Sequence, residues 1–313
     1  MTKQTEIKPV LRLGTRKSPL AMAQAREVRA RLCVAHGWEE SQVELVPVLA
    51  SGDKVQDRPL AEIGGKALWT KELDLWLAEG TIDASVHSMK DVETIRPDAL
   101  EIAAILPRAD KRDRLIGAAG IAELPQGAVV GTSAPRRAAQ LLHARPDCKV
   151  VSFRGNVATR MAKLAAGEAQ ATFLASAGLE RLGENGVGHG LDVQEWLPAP
   201  AQGAIGVEIL GSDGAIKELI GAINDQNSAT EVFAERSLLL ALGGNCHSPI
   251  AALCESDGET IAMRAALFSP DGAERVDAAL RFACEDSEGP ARLARALLDK
   301  ATPGIAAHFS GAP

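Results

Sequence analysis

The 313-residue sequence contains no tyrosine, and aromatic residues make up only 3% of it. That scarcity argues against the stacking platforms on which single-stranded nucleic acids bind. A basic surplus is missing too. Lys and Arg number 34 against 41 Asp and Glu, for a formal net charge of −7, whereas duplex-binding proteins are usually basic overall. No apolar run approaches the ~20 residues that a membrane-spanning helix needs. The opening stretch "MTKQTEIKPV" has no apolar signal core. The expectation is a cytosolic protein with neither nucleic acid nor membrane as a partner. Cysteine is sparse and scattered over Cys33, Cys148, Cys246, Cys254 and Cys284, without a CxxC pair. An odd count in a cytosolic chain argues against a disulfide framework. Zinc needs clustered ligands, so no metal is expected.

What is present is an ordinary globular balance, 46% hydrophobic and 24% charged. The length suggests two or three domains at ~100–200 residues each. "VLRLG" (Val10 to Gly14) reads as a buried strand, and Ser18-Pro19 as a helix start with Ser at the cap and Pro in the first turn. "AVVG" (Ala128 to Gly131) reads as another strand, and Pro135 starts a helix that stops before Pro146. The two units are alike: strand, Gly-Thr, polar loop, Pro, then a helix with Gln24 or Gln140 one turn in. "LAEGTIDASVHS" (Leu77 to Ser88) likewise aligns with "LAAGEAQATFLAS" (Leu164 to Ser176). The spacing between paired motifs gives the first copy roughly thirty extra residues. Residues 49–69, polar and with a Gly64-Gly65 hinge, read as a mobile loop and as part of that insert. Two similar α/β units that face each other create a cleft, a favoured ligand site.

A third unit is expected from about Asn227. "SATE" (Ser228 to Glu231) has capping-box spacing and is expected to open a helix that Gly243-Gly244 ends. Two further strands are expected around a turn at Pro270-Asp271-Gly272. Cys246 lies just past the helix, in "LGGNCHSPI". As sequence alone it could be a metal ligand, a nucleophile, half of a disulfide or filler. Adjacent side chains in an extended loop point to opposite faces, which disfavours a Cys246-His247 hydrolase pair.

Candidate site residues gather where strands end, the ligand-binding edge of α/β sheets. Arg16, Lys17 and Ser18 follow the first strand. Thr132, Ser133, Arg136 and Arg137 surround the second helix start, and Arg154, Gly155 and Arg160 follow in "FRGNVATR". Helix N-termini, hydroxyls and guanidinium groups all favour anions, and Arg grips carboxylate or phosphate bidentately. The ligand is expected to be a cleft-sized polyanion. "ASVHSMKDV" (Ala84 to Val92) ends an apolar strand in Ser88, Lys90 and Asp91. That carboxylate could hold a cation, accept N–H bonds, shuttle a proton or cap the next turn.

Taken in order, "TRKSPLA", "GGKALWTKEL", "DASVHSMKDV", "VGTSAPRR", "RGNVATRMAKL", "AGLERLG", "PAQGAIGVE" and "GGNCHSPI" resemble the signature stretches of the porphobilinogen deaminase (hydroxymethylbilane synthase) family. The resemblance covers about residues 10–250. It implies three α/β domains, the first two like type II periplasmic binding proteins. Domain 1 would comprise 1–106 and 201–223, domain 2 107–200, and domain 3, a small α/β unit, 224–313. It also implies a monomer. The cysteine matching Cys246 would carry a dipyrromethane cofactor through a thioether, as primer for four porphobilinogen units added with loss of ammonia. Asp91 matches the catalytic aspartate, which stabilises an azafulvene cation through pyrrole N–H bonds. Ser88, Lys90, Thr132, Ser133, Arg136, Arg137, Arg154, Gly155 and Arg160 match positions holding the cofactor or growing chain. Arg16, Ser18, Gln24, Arg154, Arg160, Arg181 and Gln202 match substrate or hinge positions. Lys66 and Trp69 would sit in the lid. This chain departs from common family usage at Ala134-Pro135, where Ser-Leu is frequent, at Glu62, and at His247-Ser248. The competing reading is a non-enzymatic anion-binding protein of the same paired-lobe fold, which would need neither Cys246 nor Asp91.

Overall fold

The computed structural model describes residues 9–48, 70–245 and 247–309. The expected lid with Lys66 and Trp69, and Cys246 itself, lie outside the described residues.

The chain opens with β1 (Leu11–Arg16), α1 (Pro19–His36) and β2 (Val43–Val48), followed by α2 (Lys71–Ala78), β3 (Ala84–Ser88) and β4 (Leu100–Ile105). Ser18 caps α1 as expected, its Oγ accepting from Ala21 N, and Gly37 closes the helix in the left-handed region. The chain then crosses to a second unit: β5 (Asp113–Ile116), β6 (Val129–Gly131), α3 (Pro135–Ala144), β7 (Lys149–Val151), α4 (Val157–Ala165), β8 (Ala171–Ala175), α5 (Ser176–Arg181) and β9 (His189–Gly190). It returns as β10 (Ile205–Leu210) and α6 (Gly214–Gly221).

The repeat read from the sequence is a repeat of topology. The strand orders are β2-β1-β3-β10-β4 and β7-β6-β8-β5-β9. In each sheet three parallel strands are followed by one antiparallel strand that the chain supplies at a crossing, β10 against β3 and β5 against β8. Part of the first copy's extra length lies in α1, with 18 residues against 10 in α3.

The third unit carries α7 (Gln226–Ala241), the antiparallel sheet β11 (Ile250–Ser256), β12 (Thr260–Phe268) and β13 (Arg275–Ala283), and α8 (Gly289–Leu298). The expected turn joins β12 and β13. Leu238, Leu242, Met263, Leu293 and Leu297 form its own core. Ala251, Leu253, Ala266 and Phe268 pack against Ala139 and Leu197 of the second unit. One expectation is corrected here. Ser228 does not open α7. Asp225, an equally good cap three residues earlier, accepts from Ser228 N at 2.8 Å, and Ser228 Oγ instead accepts from Arg108 N at 2.9 Å.

The crossings are tightly packed. Ala201 has φ 59°, and a Cβ on Gly203 would come within 2.7 Å of Ala109 O. Arg108 reaches from the outward crossing to fully buried Glu235 on α7, with Nη2 at 2.8 Å from Oε2. The same oxygen accepts from Ala201 N on the return. Both crossings are thus fastened to the third unit through one carboxylate.

Candidate active site

Parallel strands place their carboxyl ends on one edge, and the candidate residues fall on these edges. Arg16 ends β1, Ser88 ends β3, Thr132 and Ser133 follow β6, and Arg154 follows β7. The two edges face one another. Arg181 on α5 donates Nε to Glu27 Oε2 on α1 at 3.1 Å and Nη2 to Gly203 O at 3.1 Å, tying both lobes to the return crossing.

Lys90 and Asp91 occupy a 3-10 turn, Met89–Asp91, directly after β3. Burial lowers the pKa of the Lys90 ammonium, which Asp91 opposes and Arg137 adds to; Asp113 and Arg160 act more weakly. Burial also lowers Arg160, to about 10, with Arg137 adding and Asp91 opposing. Lys90 and Asp91 from one lobe and Arg137 and Arg160 from the other therefore lie within each other's field, across the cleft. Among the described residues no hydrogen bond ends on the Asp91 carboxylate, so it does not serve as a cap.

Arg136 and Arg137 start α3 and are 5% and 4% exposed. Both bind a residue that sequence reading missed, Asp113 at the start of β5. Arg136 Nη2 lies 2.8 Å from Oδ2 and Arg137 Nη2 2.7 Å from Oδ1. Trp196 Nε1 donates to Oδ2 at 2.9 Å and Gln202 Nε2 to Oδ1 at 2.9 Å. Burial opposes ionisation of Asp113, yet the two arginines and the added hydrogen bonds hold its pKa far below the usual carboxylate range. One anion against two cations leaves a net positive charge. Moreover, the Nε atoms of both arginines are buried without a hydrogen-bond partner. A positive pair with spare donors fits a carboxylate-bearing ligand such as the dipyrromethane group. The signal for Asp113 was available in "RADKRDR" (Arg108 to Arg114), where acids are interleaved with four cations.

The other candidates take supporting places. Gln24 Nε2 donates to Ser88 Oγ at 2.8 Å. Ser133 Oγ lies 3.0 Å from Ser152 Oγ, and Thr132 Oγ1 accepts from Ala134 N at 3.2 Å. That second contact steadies the start of α3, where Ala134 has no capping side chain. Arg160 Nε donates to Gly155 O at 3.0 Å. Gly155 has φ 104°, and a Cβ there would come within 2.7 Å of Thr159. Around position 246, Asn245 Oδ1 accepts from His247 N at 2.8 Å and Ser248 Oγ accepts from Asn245 N at 3.0 Å. Among the described residues, no group of three His, Cys, Asp or Glu side chains could hold a metal ion, and no helix is long and apolar enough to cross a membrane.

Residues 11–218 match the family domain described as porphobilinogen deaminase, dipyromethane cofactor binding domain, and residues 229–299 match porphobilinogen deaminase, C-terminal domain. The chain belongs to the porphobilinogen deaminase family. Porphobilinogen deaminase of Sphingopyxis alaskensis is 52% identical over 307 residues, covering 96% of both chains. That of Paracoccus denitrificans is 50% identical over 281 residues, 89% of this chain and 90% of the relative. The chloroplastic porphobilinogen deaminase of Oryza sativa is 47% identical over 269 residues, 84% of this chain and 75% of the relative. Among solved structures, the VFT2 domain of Bordetella pertussis BvgS is similar at 16% identity and a TM-score of 0.41, over 74% of this chain and 93% of that one. The deaminase is an enzyme, a transferase that joins porphobilinogen into hydroxymethylbilane on a dipyrromethane cofactor. The non-enzymatic reading is not favoured.

Proposed function

We propose that Asp91 is the carboxylate at which this deaminase joins one pyrrole to the next, and that Cys246 carries the primer. The observation that carries the reading is the setting of Asp91. It is a carboxylate with no hydrogen-bond donor among the described residues, within the field of Lys90 from its own lobe and Arg160 from the other, where two lobes face each other. Porphobilinogen carries an acetate and a propionate. Loss of ammonia from its aminomethyl group leaves a cation delocalised over the pyrrole. A neighbouring anion stabilises that cation and accepts the pyrrole N–H, and removing such a partner commonly costs ~10²–10³ in rate. The bound dipyrromethane would supply the free pyrrole α-carbon that attacks the cation, and loss of the proton from that carbon to a base would restore the aromatic ring.

The surrounding cations then hold carboxylates. Arg136 and Arg137 keep their Nε donors for this use. Lys90, Arg154 and Arg160 line the same edges, and Gly155 supplies the carbonyl that accepts from Arg160 Nε and so orients that guanidinium. Ser88, Thr132 and Ser133 add hydroxyl groups. Arg16, Ser18 and Gln24 serve the substrate side, while Arg181 and Gln202 tie the site to the crossings. Lys66 and Trp69 would cover it. The domains are proposed as 1–106 with 201–223, 107–200 and 224–313, and the enzyme as a cytoplasmic monomer, which sedimentation would check.

The test is the intact mass of the purified protein beside Cys246→Ser. The wild type should exceed its sequence mass by two linked pyrrole units, and the variant should not. An unmodified wild type that gains no mass when given porphobilinogen would sink the reading.

A further inference from the structure

Asp91 sits in a turn of three residues, which has too few internal bonds to fix its own direction. Its entry is anchored where Met89 N donates to Ala204 O at 3.1 Å. Beyond Val92 the chain has little core to hold it: residues 93–99 include none that is buried, and Ile95 is 65% exposed. Two arginines hold this exit instead. Arg236, on α7, donates Nη1 to Val92 O at 3.0 Å and Nη2 to Glu93 O at 2.6 Å. Arg96 donates Nη1 to Glu93 Oε2 at 2.9 Å. Its remaining contacts reach three other places. Nε and Nη2 grip the two oxygens of Glu208 at 2.8 and 2.9 Å, Nη2 also reaches Asp74 Oδ1 at 2.5 Å, and Nη1 reaches Thr70 Oγ1 at 3.2 Å. One guanidinium therefore joins the start of α2, the exit of the Asp91 turn and the return strand β10.

Stability alone is a poor reason for such a cluster. Replacing buried ion pairs by well-packed apolar groups is often neutral or stabilising. A planar guanidinium that engages several carboxylates gives direction, which apolar packing does not. The segment it directs begins two residues after Asp91.

We infer that Arg96 is a positioning residue, which fixes the aim of the Asp91 carboxylate through Glu93. The inference rests on the reading of Asp91 given above. Arg96 touches no reacting atom. It acts by holding the exit of the turn, while Arg236 braces the same exit from the third unit. A misplacement of about 1 Å at a reacting group can cost ~10²-fold in rate, so a loosened turn should be visible in the chemical step.

The experiment uses primer-loaded protein, with loading verified by intact mass. Single-turnover rates are compared for wild type, Arg96→Lys, Glu93→Ala, Asp91→Asn and the two double variants with Asp91→Asn. Glu93→Ala leaves the links of Arg96 to Glu208 and Asp74 in place, so it reports even where Arg96→Lys folds poorly. Each single variant at 96 or 93 should lose ~10–100-fold in rate, with KM changed less than about twofold. In the Asp91→Asn background the same substitutions should cost less than about twofold more, because the group they aim is gone. Wild-type rates at Arg96→Lys and Glu93→Ala, or losses repeated in full on top of Asp91→Asn, would overturn the inference. Wild-type rates in Asp91→Asn itself would overturn the role of Asp91 and the reason for the clamp with it.

Discussion

Arg137 Nη2 lies 2.7 Å from Asp113 Oδ1, and neither side chain is more than 5% exposed. In such a place the pair cannot be broken cheaply, because water does not replace the lost partner. Asp113→Asn leaves two buried guanidinium groups facing an amide. The expected loss of stability is about 3–5 kcal/mol, read from urea unfolding midpoints. Trp196→Phe keeps both ion pairs and removes one hydrogen bond to the same carboxylate. It should cost about 1.5–3 kcal/mol. If Asp113→Asn unfolded like the wild type, the carboxylate would not be the anchor described here.

Acid should act on the first lobe through Glu208. Burial works against its ionisation, but hydrogen bonds from His87 and Arg96 prevail and lower its pKa from 4.5 to about 2. A depressed folded-state pKa stabilises the fold above the unfolded value, and the benefit is lost as pH falls through the folded one. The window here runs from pH 4.5 down to about 2, and the full effect is about 3 kcal/mol. Glu208→Gln should therefore be destabilised at pH 6, with the gap to wild type closing at pH 3. A gap of constant size across those pH values would show that Glu208 is not the group that titrates.

Local signals carried much of the architecture. Ser18-Pro19 and Pro135 marked helix starts because cap and φ preferences act within a few residues. The repeated motifs marked paired lobes because each copy packs the same strands around β1 or β6. The strand ends, and thus Lys90, Asp91, Arg137 and Arg160, followed from the same pattern. What stayed hidden depends on contacts far apart in sequence. Asp113 meets Trp196 across 83 residues, and Arg96 meets Glu208 across 112. No local period reports that pairing. The start of α7 was misplaced for a different reason: Asp225 and Ser228 both suit a cap, and only tertiary structure, which engages Ser228 with Arg108, decides between them.

Gly155 gives a prediction about ligand retention. At φ 104° an added Cβ is strained whatever the space, and here it also meets Thr159 Cβ at 2.7 Å. Gly155→Ala should cost ~1–3 kcal/mol locally and disturb the Gly155 carbonyl that accepts from Arg160 Nε. The intact mass of the variant should show a mixture of loaded and bare protein. Full loading with unchanged turnover would mean that the loop has no part in holding the carboxylates.

Asp91 is the sharpest test of the chemistry. Asp91→Asn keeps the shape and removes the charge. Primer-loaded variant should bind porphobilinogen but complete a single addition ~10²–10³-fold more slowly than wild type. Asp91→Glu keeps the charge on a longer arm. It preserves an anion near the developing cation while shifting the oxygens by about the 1 Å that geometry-sensitive steps resent. It should therefore fall between wild type and Asn. A Glu variant as slow as Asn would mean that placement, not charge, sets the rate, as a proton transfer over a fixed distance requires. An Asn variant within about threefold of wild type would remove Asp91 from the mechanism, and Lys90, the other ionisable group of that turn, would then be the residue to replace.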